Sequence, residues 1–216
     1  MTSLVPFGDS AFLARFQSDE EAVRWAESVR LRRDPWIVDV VVAYSEVAVF
    51  VDPERPDDEP IEAALSRIEP ISIATSIGRT HQIPVVYDGA DIDDIAGRLG
   101  LTVAQVAALH SVQIYRVAAI GFLPGFPYAG DLLEPLRGLP RRTSPRPRVP
   151  SGSVAIAGKQ TAIYPAESPG GWHLIGRTPL KIVDVASGFF PIRVGDRLQF
   201  IPINEQAFES HRGLLK

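Results

Sequence analysis

Five arginines and no acidic residue lie between Arg137 and Arg148, and the segment is interleaved with prolines. Guanidinium groups bind carboxylates and phosphates through paired, planar hydrogen bonds. Proline restricts the unfolded backbone and so lowers the entropy lost when neighbouring side chains are held in place. The segment is therefore suited to bind a phosphate, a substrate carboxylate or an acidic partner. The alternative is an ordinary charged stretch in solvent.

A glycine pair next to a tryptophan forms a second candidate binding element, in residues 168–172, and Arg177 follows it closely. Adjacent glycines let a ligand or another backbone segment approach, and a tryptophan ring can form the wall of a pocket. Arg177 could clamp an anion with its planar fork of donors. The alternative is a tight turn beside a surface arginine.

The segment GFLPGFPY, residues 121–128, combines two prolines, two glycines and three aromatic residues. The prolines fix φ and the glycines permit positive φ, so the sequence predicts a stiff loop. Such a loop presents aromatic surface to a ligand or a partner. The alternative is a structural corner whose aromatic rings fill the core.

Other kinds of site find little support in the sequence. There is no cysteine, which excludes disulfides, thiolate metal sites and a cysteine nucleophile. The four histidines lack metal-ligand spacing, and neither a standard phosphate-binding loop nor a G-x-S-x-G motif occurs, so we expect no metal site. Lys159 and Gln160 lie in a turn-like stretch, where they could reach a ligand or be exposed turn residues. A net charge of −4 argues against general nucleic-acid binding.

The length of 216 residues is compatible with one or two domains. The first ten residues show neither a basic nor an apolar signal segment, so we expect no signal peptide. Apolar runs such as 40–43 and 117–121 are far shorter than the roughly 20 residues that span a bilayer. These features favour a soluble cytoplasmic protein with no membrane segment.

The elements that position these groups fall into two parts. In the first part we predict strands at 10–16, 36–44, 47–52 and 71–77, with helices after the capping pattern 18–21 and across 61–68. The order β-α-β-β-α-β is that of a ferredoxin-like arrangement, and it closes near residue 80.

In the second part we predict strands at 83–87, 113–120, 180–185 and 197–203, and two short helices at 91–99 and 102–110. Residues 121–178 contain nine of the 19 prolines and nine of the 17 glycines, a density that forbids long helices. This segment also carries aromatic and apolar residues, so we predict ordered loops between short strands. Many short strands with such turns favour a barrel or a sandwich.

Long motifs in the chain resemble those of the family that contains the B subunit of 5-oxoprolinase. The matching segments are HQIPVVYDG, LHSVQIYRV, GFLPGFPY, RRTSPRPRVPSGSVAIAG, QTAIYPAESPGGWHLIGRTPL and GDRLQFIPI. The same family includes proteins named allophanate hydrolase subunit 1 and a bacillar inhibitor of a sporulation kinase. The resemblance is strongest across 81–203 and weakest across 1–80.

The resemblance implies an α+β protein, with a ferredoxin-like α/β sandwich in residues 1–80 and a cyclophilin-like β-barrel in 81–216. It also implies an ATP-dependent lactam hydrolase that converts 5-oxo-L-proline to L-glutamate, with Mg²⁺ as a further component of the assembled complex. The resemblance also implies that the partner is the C subunit of 5-oxoprolinase, in a heterodimer or heterotetramer, and that the A subunit is the third component. It further implies that this chain has little activity alone. The alternatives are a histidine-kinase inhibitor and an allophanate hydrolase or urea carboxylase-type subunit.

If the chain belongs to this family, residue type and position assign three roles to its side chains: catalysis, substrate binding and partner contact. The predicted catalytic residues are Arg177, Lys159 and His110. The predicted partner-interface residues are Phe122, Phe126 and Tyr128. The predicted substrate-binding residues are Gly170, Gly171, Trp172, Arg146, Tyr164 and Gln160.

Overall fold

A computed structural model of the chain describes residues 1–54, 60–71 and 78–215. The chain divides into two compact units, Met1–Ile77 and Gly78–Lys216. Helices and mostly antiparallel strands occur together, so the protein is of mixed α and β class.

The described residues of the first unit form four strands and two helices. They are β1 (Ser3–Pro6), β2 (Ala11–Arg15), α1 (Asp19–Arg32), β3 (Ile37–Ala43), β4 (Glu46–Val51) and α2 (Ile61–Ser66). The strands run antiparallel in the order β1-β2-β4-β3. Strand β4 therefore lies between β2 and β3, which are the two strands that flank α1 in the sequence.

Helix α1 begins where the capping pattern predicts. The Ser18 hydroxyl accepts a hydrogen bond from the backbone N–H of Glu21 at 3.2 Å, and the first turn is acidic. The helix ends at Arg33, which takes a left-handed conformation with φ of 52°. Its apolar face is buried around Trp25, whose indole Nε1–H donates to the carbonyl of Ile68 at 2.8 Å.

The sequence predicted β2, the β3–β4 hairpin and both helices of this unit to within a few residues. It missed β1, which pairs with the outer side of β2. The predicted strand at 71–77 lies, apart from residue 71, outside the described residues.

The second unit is built from short strands and a few helices. Its first elements are β5 (Thr80–Val85), α3 (Ile92–Leu99), α4 (Val103–Val112), β6 (Ile114–Ile120) and β7 (Pro127–Gly130). After a short 3-10 helix at Glu134–Leu136 come β8 (Arg146–Val149), β9 (Ser153–Ala157), β10 (Gln160–Ile163), β11 (Ser168–Gly170) and β12 (His173–Arg177). The last elements are β13 (Leu180–Lys181), β14 (Arg197–Pro202), α5 (Glu205–Phe208), a second 3-10 helix at Glu209–His211 and β15 (Gly213–Leu214).

The main ladder of this unit runs β5-β14-β6-β7-β10-β9-β12. The β5–β14 pair is parallel, and the other pairs are antiparallel. Beyond the end of β5, Val86 forms an isolated antiparallel bridge with Arg177 in β12, with N···O distances of 2.9 and 3.0 Å. This bridge links the two edges of the ladder at a single point, and a closed barrel is not found among the described residues.

The core of this unit lies between the ladder and helices α3 and α4. Fully buried members include Tyr115, Phe200 and Ile95. The sequence predicted both helices, β6 and β14, whereas the predicted strand at 180–185 is only two residues long. No single helix of the described chain is long and apolar enough to cross a membrane; α3 and α4 meet that requirement only as a pair bent by 91°.

Candidate functional site

A buried carboxylate organises the arginine segment. Asp91 precedes α3 and is 3% exposed. Its side chain accepts hydrogen bonds from Arg146 at 2.6 and 2.9 Å and from Arg142 Nη1 at 2.8 Å. The backbone N–H of Leu174, in β12, donates to the same carboxylate at 2.7 Å. Asp91 therefore fixes both guanidinium groups against the sheet.

The electrostatics of this group favour the ionised carboxylate. Burial alone would raise the pKa of Asp91. The hydrogen bonds from Arg146 and the Leu174 N–H, together with the charges of Arg146 and Arg142, outweigh burial and hold that pKa below its ordinary value. Two cations share one anion, so the group keeps one net positive charge.

The glycine pair lies beside the same arginines. The backbone N–H of Arg142 donates to the carbonyl of Gly171 at 2.8 Å, and Gly170 pairs with Arg146 in the β8–β11 ribbon. A Cβ atom at Gly170 would lie only 2.3 Å from the Tyr164 hydroxyl oxygen. Glycine is thus required at 170 so that Tyr164 can reach the ribbon.

Aromatic rings form the wall next to this ribbon. Phe126 packs edge-to-face against Tyr128, Tyr164 and Trp172, with ring centroids 5.0, 5.1 and 5.8 Å away. We call Asp91, Arg142, Arg146, the glycine pair and the rings of Tyr128, Tyr164 and Trp172 the arginine–aromatic site.

The Tyr164 hydroxyl remains neutral at neutral pH. Burial raises the pKa of Tyr164, and the neighbouring Tyr128 acts in the same direction. The Trp172 N–H and the charges of Arg141 and Arg146 oppose this rise without overcoming it. The site therefore offers a hydroxyl donor near two cations.

Three buried side-chain nitrogen or oxygen atoms in the described part of the chain have no hydrogen-bond partner: Arg142 Nε, Ser168 Oγ and His173 Nδ1. All three belong to the arginine–aromatic site or to the strands that carry it. The other ring nitrogen of His173, Nε2, hydrogen-bonds the carbonyl of Pro140 at 2.8 Å. Unpaired buried polar groups are costly and often mark functional positions.

Several residues of this site follow from the sequence prediction, and others do not. The structure brings together Arg146, Tyr164 and Trp172 with the glycine pair, as a substrate-binding group would require. It adds Asp91 and His173, which the sequence analysis did not select, and singles out Arg142 from the arginine run. The signal in the sequence that could have indicated Asp91 is the arginine segment without acidic residues. Because this segment has no carboxylate of its own, a carboxylate that pairs with its guanidinium groups must come from elsewhere in the chain.

Arg177, predicted as catalytic, is engaged in a separate cluster. Its Nε donates to Asp88 at 2.9 Å and its Nη2 to Glu205, and the guanidinium carbon lies 4.2 Å from the centre of the Phe208 ring. Two carboxylates already neutralise this cation. The geometry therefore favours a structural role, tying β12 to the C-terminal helix α5.

His110, also predicted as catalytic, lies in the core. Its ring makes 2.8 Å hydrogen bonds to the Tyr87 hydroxyl through Nδ1 and to the Thr161 hydroxyl through Nε2. The Thr161 hydroxyl donates to the carbonyl of Ala155 at 3.2 Å, so Nε2 carries the proton and Tyr87 donates to Nδ1. Burial lowers the pKa of His110 to about 3. This residue is a neutral part of the core.

Lys159 and Gln160 lie at the turn between β9 and β10. The Lys159 side chain is exposed, and its carbonyl accepts a hydrogen bond from the Leu132 N–H at 2.8 Å. Gln160 is half-buried at the start of β10. Their predicted roles in catalysis and substrate binding remain predictions.

The GFLPGFPY loop contains both exposed and buried aromatic residues. Phe122 is 59% exposed and has a φ of 67°, a conformation that is strained for a bulky side chain. Phe126 is 1% exposed, so it packs in the core of its own chain. The prediction that Phe126 is a partner-interface residue required an exposed ring. Tyr128 is half-buried.

Among the residues that the structure describes, no group of three or more acidic or histidine side chains is placed to hold a metal ion.

Comparisons with known proteins agree with this architecture. The model of the carboxyltransferase domain, subdomains C and D, matches residues 2–188. A protein from Escherichia coli, named as the B subunit of 5-oxoprolinase, is 40% identical over 84% of this chain and 85% of its own length. The protein of the same name from Haemophilus influenzae is 36% identical over 92% of this chain and 97% of its own length.

Solved structures show the same fold. The crystal structure of the protein TTHA0988 superposes with a TM-score of 0.80 at 38% identity; the match covers 90% of this chain but 40% of that longer chain. The urea carboxylase of Kluyveromyces lactis has a TM-score of 0.70 at 17% identity over 99% of this chain and 23% of its own, a likeness of fold alone. The chain therefore belongs to the carboxyltransferase C and D subdomain family and, within it, to the group of proteins named as the B subunit of 5-oxoprolinase.

Proposed function

We propose that this chain is the B subunit of an ATP-dependent 5-oxoprolinase, which converts 5-oxo-L-proline to L-glutamate together with the A and C subunits. The observation that carries the proposal is the match to two proteins of that name at 36–40% identity over most of both chains. ATP is then a reactant of the complex, with Mg²⁺ as its companion ion. Cytoplasmic location stays a prediction from the sequence.

The chemistry explains what such a protein must supply. A five-membered lactam is a stable amide, and transfer of a phosphoryl group from ATP to the amide oxygen makes its carbonyl carbon more electrophilic. Cationic and hydrogen-bond-donating groups that are fixed before the reaction stabilise the charge that develops. The arginine–aromatic site holds two guanidinium groups in fixed positions through Asp91. We assign this site, rather than Arg177 or His110, to the reactants.

The activity of the reconstituted complex tests this proposal. We expect phosphate and L-glutamate to be released from ATP and 5-oxo-L-proline only when this chain is combined with the A and C subunits. Allophanate and urea serve as competing substrates, and inhibition of a histidine kinase is measured in parallel. Turnover that is equally fast without this chain contradicts the proposal. Turnover of allophanate but not of 5-oxo-L-proline supports the allophanate hydrolase alternative, and kinase inhibition without any turnover supports the kinase-inhibitor alternative.

We also propose that the C subunit covers an apolar loop surface formed by Phe122, Pro124, Val185 and Phe190. Phe122, Val185 and Phe190 are 59%, 66% and 41% exposed. The two loops that carry these residues lie close together at Gly125, since a Cβ at this position would lie 2.2 Å from a side-chain atom of Val183 and 3.4 Å from one of Phe190. Adjacent exposed apolar side chains are characteristic of contact surfaces.

The longer chain of TTHA0988 supports the proposal that this chain has a protein partner. In TTHA0988 the matched part is 40% of one continuous chain, so a unit of this kind is there linked to further protein. We propose that the C subunit takes a comparable place here through non-covalent contacts. Tyr128 stays a candidate at the edge of this surface.

A pair of phenylalanine variants tests the surface. Phe122→Ala should leave the melting temperature of the lone chain nearly unchanged and should weaken co-purification with the C subunit. Phe126→Ala is the core control, and it should cost about 3 to 5 kcal/mol of unfolding free energy. Normal retention of the C subunit by Phe122→Ala contradicts the proposed surface.

The finer fold assignment belongs to the same proposal. A ferredoxin-like first domain at 1–80 is supported by the β2-β4-β3 order and by α1 between β2 and β3. A cyclophilin-like second domain at 81–216 is supported by the seven-stranded ladder and the Val86–Arg177 bridge.

A further inference from the structure

Three arginines of the second unit meet at one buried carboxylate. Asp196 is 6% exposed, and it accepts hydrogen bonds from the backbone N–H groups of Arg79 and Arg193, each at 2.9 Å. Its third partner is His81, whose Nε2 lies 2.8 Å away. Arg197 follows Asp196 directly, and its backbone N–H donates to the carbonyl of Arg79 at 2.8 Å. The Asp196 carboxylate therefore fixes the backbone that carries three arginines without binding any of their guanidinium groups.

Glycine at position 78 permits this arrangement. A Cβ at Gly78 would lie 2.3 Å from the carbonyl oxygen of Gly195 and 2.6 Å from the Cα of Asp196. The backbone segments that carry Arg79 and Arg197 are therefore in direct contact, and a larger residue at 78 would push them apart.

A fourth arginine lies directly opposite Arg197 on the neighbouring strand. Arg116 in β6 pairs with Arg197 in β14, and Thr80 in β5 pairs with Arg197 on its other side. The next pair along these strands, Leu198 and Tyr115, is fully buried in the core, so Arg197 and Arg116 point to the opposite face of the sheet. Directly opposite residues on antiparallel strands have Cβ atoms about 5 Å apart, so two positive charges are adjacent here.

These four arginines lack a counterion among the described residues. We call Arg79, Arg116, Arg193 and Arg197 the β14 arginine cluster; the first and third are exposed, and the other two are half-buried. In the part of the chain that the structure describes, none of the four guanidinium groups forms a hydrogen bond or an ion pair. Several arginines elsewhere, such as Arg148, have a carboxylate partner. Like charges that face each other on a sheet are destabilising, and an anion from outside the chain would relieve this repulsion.

The residue types favour a phosphate group as that anion. A phosphate monoester carries up to about two negative charges and has three acceptor oxygens, so it can bind Arg116 and Arg197 together. A carboxylate has one charge and two oxygens. All four cations are arginines, whose planar fork of donors matches phosphate geometry better than an ammonium group does. The exposed hydroxyl of Thr80 adds a donor beside Arg197.

The overall charge limits the size of the ligand. The chain carries a net charge of −4, which disfavours a long polyanion such as a nucleic acid. A small phosphorylated molecule brings its charge to the cluster alone.

We propose that the β14 arginine cluster binds the phosphate groups of a small molecule, and that this molecule is the nucleoside triphosphate of the proposed reaction. Arg116 and Arg197 contact the phosphate, and Arg79 and Arg193 add positive charge beside it. The inference rests on the proposed function only for the choice of the nucleotide as the carrier of the phosphates. The cluster differs from the arginine–aromatic site, where Asp91 already neutralises one of the two guanidinium groups.

Isothermal titration calorimetry of the purified full chain tests the inference, with inorganic tripolyphosphate, ATP and orthophosphate as separate probes. Tripolyphosphate and ATP should bind saturably to the wild type, and the double variant Arg116→Gln/Arg197→Gln should weaken both by at least tenfold. Arg24→Gln/Arg98→Gln is the matched control, because it removes two positive charges at exposed helical positions, and it should change binding less than twofold. If the first variant does not fold, Arg79→Gln/Arg193→Gln, at exposed positions, replaces it and should weaken binding several-fold.

The probes distinguish the sources of the phosphate. Binding of both ATP and tripolyphosphate that depends on the cluster supports the inference. Binding of orthophosphate without binding of ATP overturns the assignment to a nucleotide. No binding of tripolyphosphate by the wild type overturns the inference, and so does equal binding by the wild type and the cluster variant. An equal loss in the control variant would show that net charge alone attracts the anion, which also overturns it.

The binding experiment is independent of the proposed function, since it needs neither 5-oxo-L-proline nor the other subunits. Cluster-dependent binding of tripolyphosphate together with a reconstituted complex that does not hydrolyse 5-oxo-L-proline would contradict the proposed function and retain the phosphate site.

Discussion

At the scale of single residues, the contact between Gly170 and Tyr164 determines the shape of the candidate site. The two neighbouring glycines differ in the space around them. A Cβ at Gly170 would overlap the Tyr164 hydroxyl at 2.3 Å, whereas a Cβ at Gly171 would meet Pro145 at an ordinary 3.7 Å. The pair thus provides its own control.

We expect Gly170→Ala to lower the free energy of unfolding by about 1 to 3 kcal/mol, because the added methyl group displaces Tyr164 from a packed position. Gly171→Ala should change it by less than about 0.5 kcal/mol. Urea denaturation of both variants measures the difference. Equal effects of the two substitutions would show that Tyr164 moves away freely.

His110 gives the chain a pH dependence that can be measured. Its pKa falls from 6.5 to about 3 on burial, so between these values the unfolded chain binds a proton that the folded chain does not. The free energy of unfolding should therefore fall as the pH drops from about 6.5, by up to about 1.4 kcal/mol per pH unit.

The slope, and not the absolute stability, is the readout for His110→Gln, since any substitution in this packed position destabilises the fold. Between about pH 6.5 and about pH 5 the variant should show a flatter profile than the wild type. His211→Gln, at an exposed position, should keep the wild-type slope. A steep profile in His110→Gln would contradict the assignment of a neutral buried ring.

At the scale of elements, Asp91 joins three parts of the second unit: the start of α3, the loop that leads into β8, and β12. We expect Asp91→Asn to destabilise the chain by about 3 to 5 kcal/mol, since two part-buried guanidinium groups lose their anion. Asp94→Asn, on the exposed side of α3, is the matched control, with an expected change below about 0.5 kcal/mol. Chemical denaturation measures both, and a mild effect at Asp91 would mean that water replaces the carboxylate.

At the scale of the whole molecule, the proposed function makes this chain one subunit of an ATP-driven complex. Its sequence contains no standard phosphate-binding loop. We expect the purified chain to release no phosphate from ATP in the presence of 5-oxo-L-proline, and to do so only after the A and C subunits are added. A coupled phosphate assay measures this, with the heat-treated chain as the blank; robust turnover by the chain alone would contradict the expectation.

Local patterns in the sequence predicted the elements better than the contacts. Runs of β-branched residues predicted β3 and β4, and Ser18 predicted the start of α1, because both signals depend on near neighbours. The partner of an arginine does not: Asp91 is 51 positions away from Arg142 and 83 from Leu174. The sequence therefore predicted the cationic segment, but it also indicated Arg177 as catalytic, and the two carboxylates that bind Arg177 come from distant positions, Asp88 and Glu205.

The GFLPGFPY loop shows the same limit at close range. Its composition predicted a stiff aromatic loop, which the structure has. Which ring turns outward depends on the positive φ at Phe122, and a phenylalanine gives no signal for that conformation. The exposed Phe122 and the buried Phe126 could not be distinguished from their order in the sequence.

The carboxylate that Arg142 and Arg146 share also has a consequence for sequence change. Because both guanidinium groups depend on Asp91, the effect of replacing any one of these residues depends on which residues occupy the other two positions, a case of epistasis. Exchanging Asp91 alone leaves two cations without an anion, whereas exchanging all three for uncharged residues removes the need for it. A mutant library that varies one position at a time would discard combinations that fold, so positions 91, 142 and 146 are best randomised together.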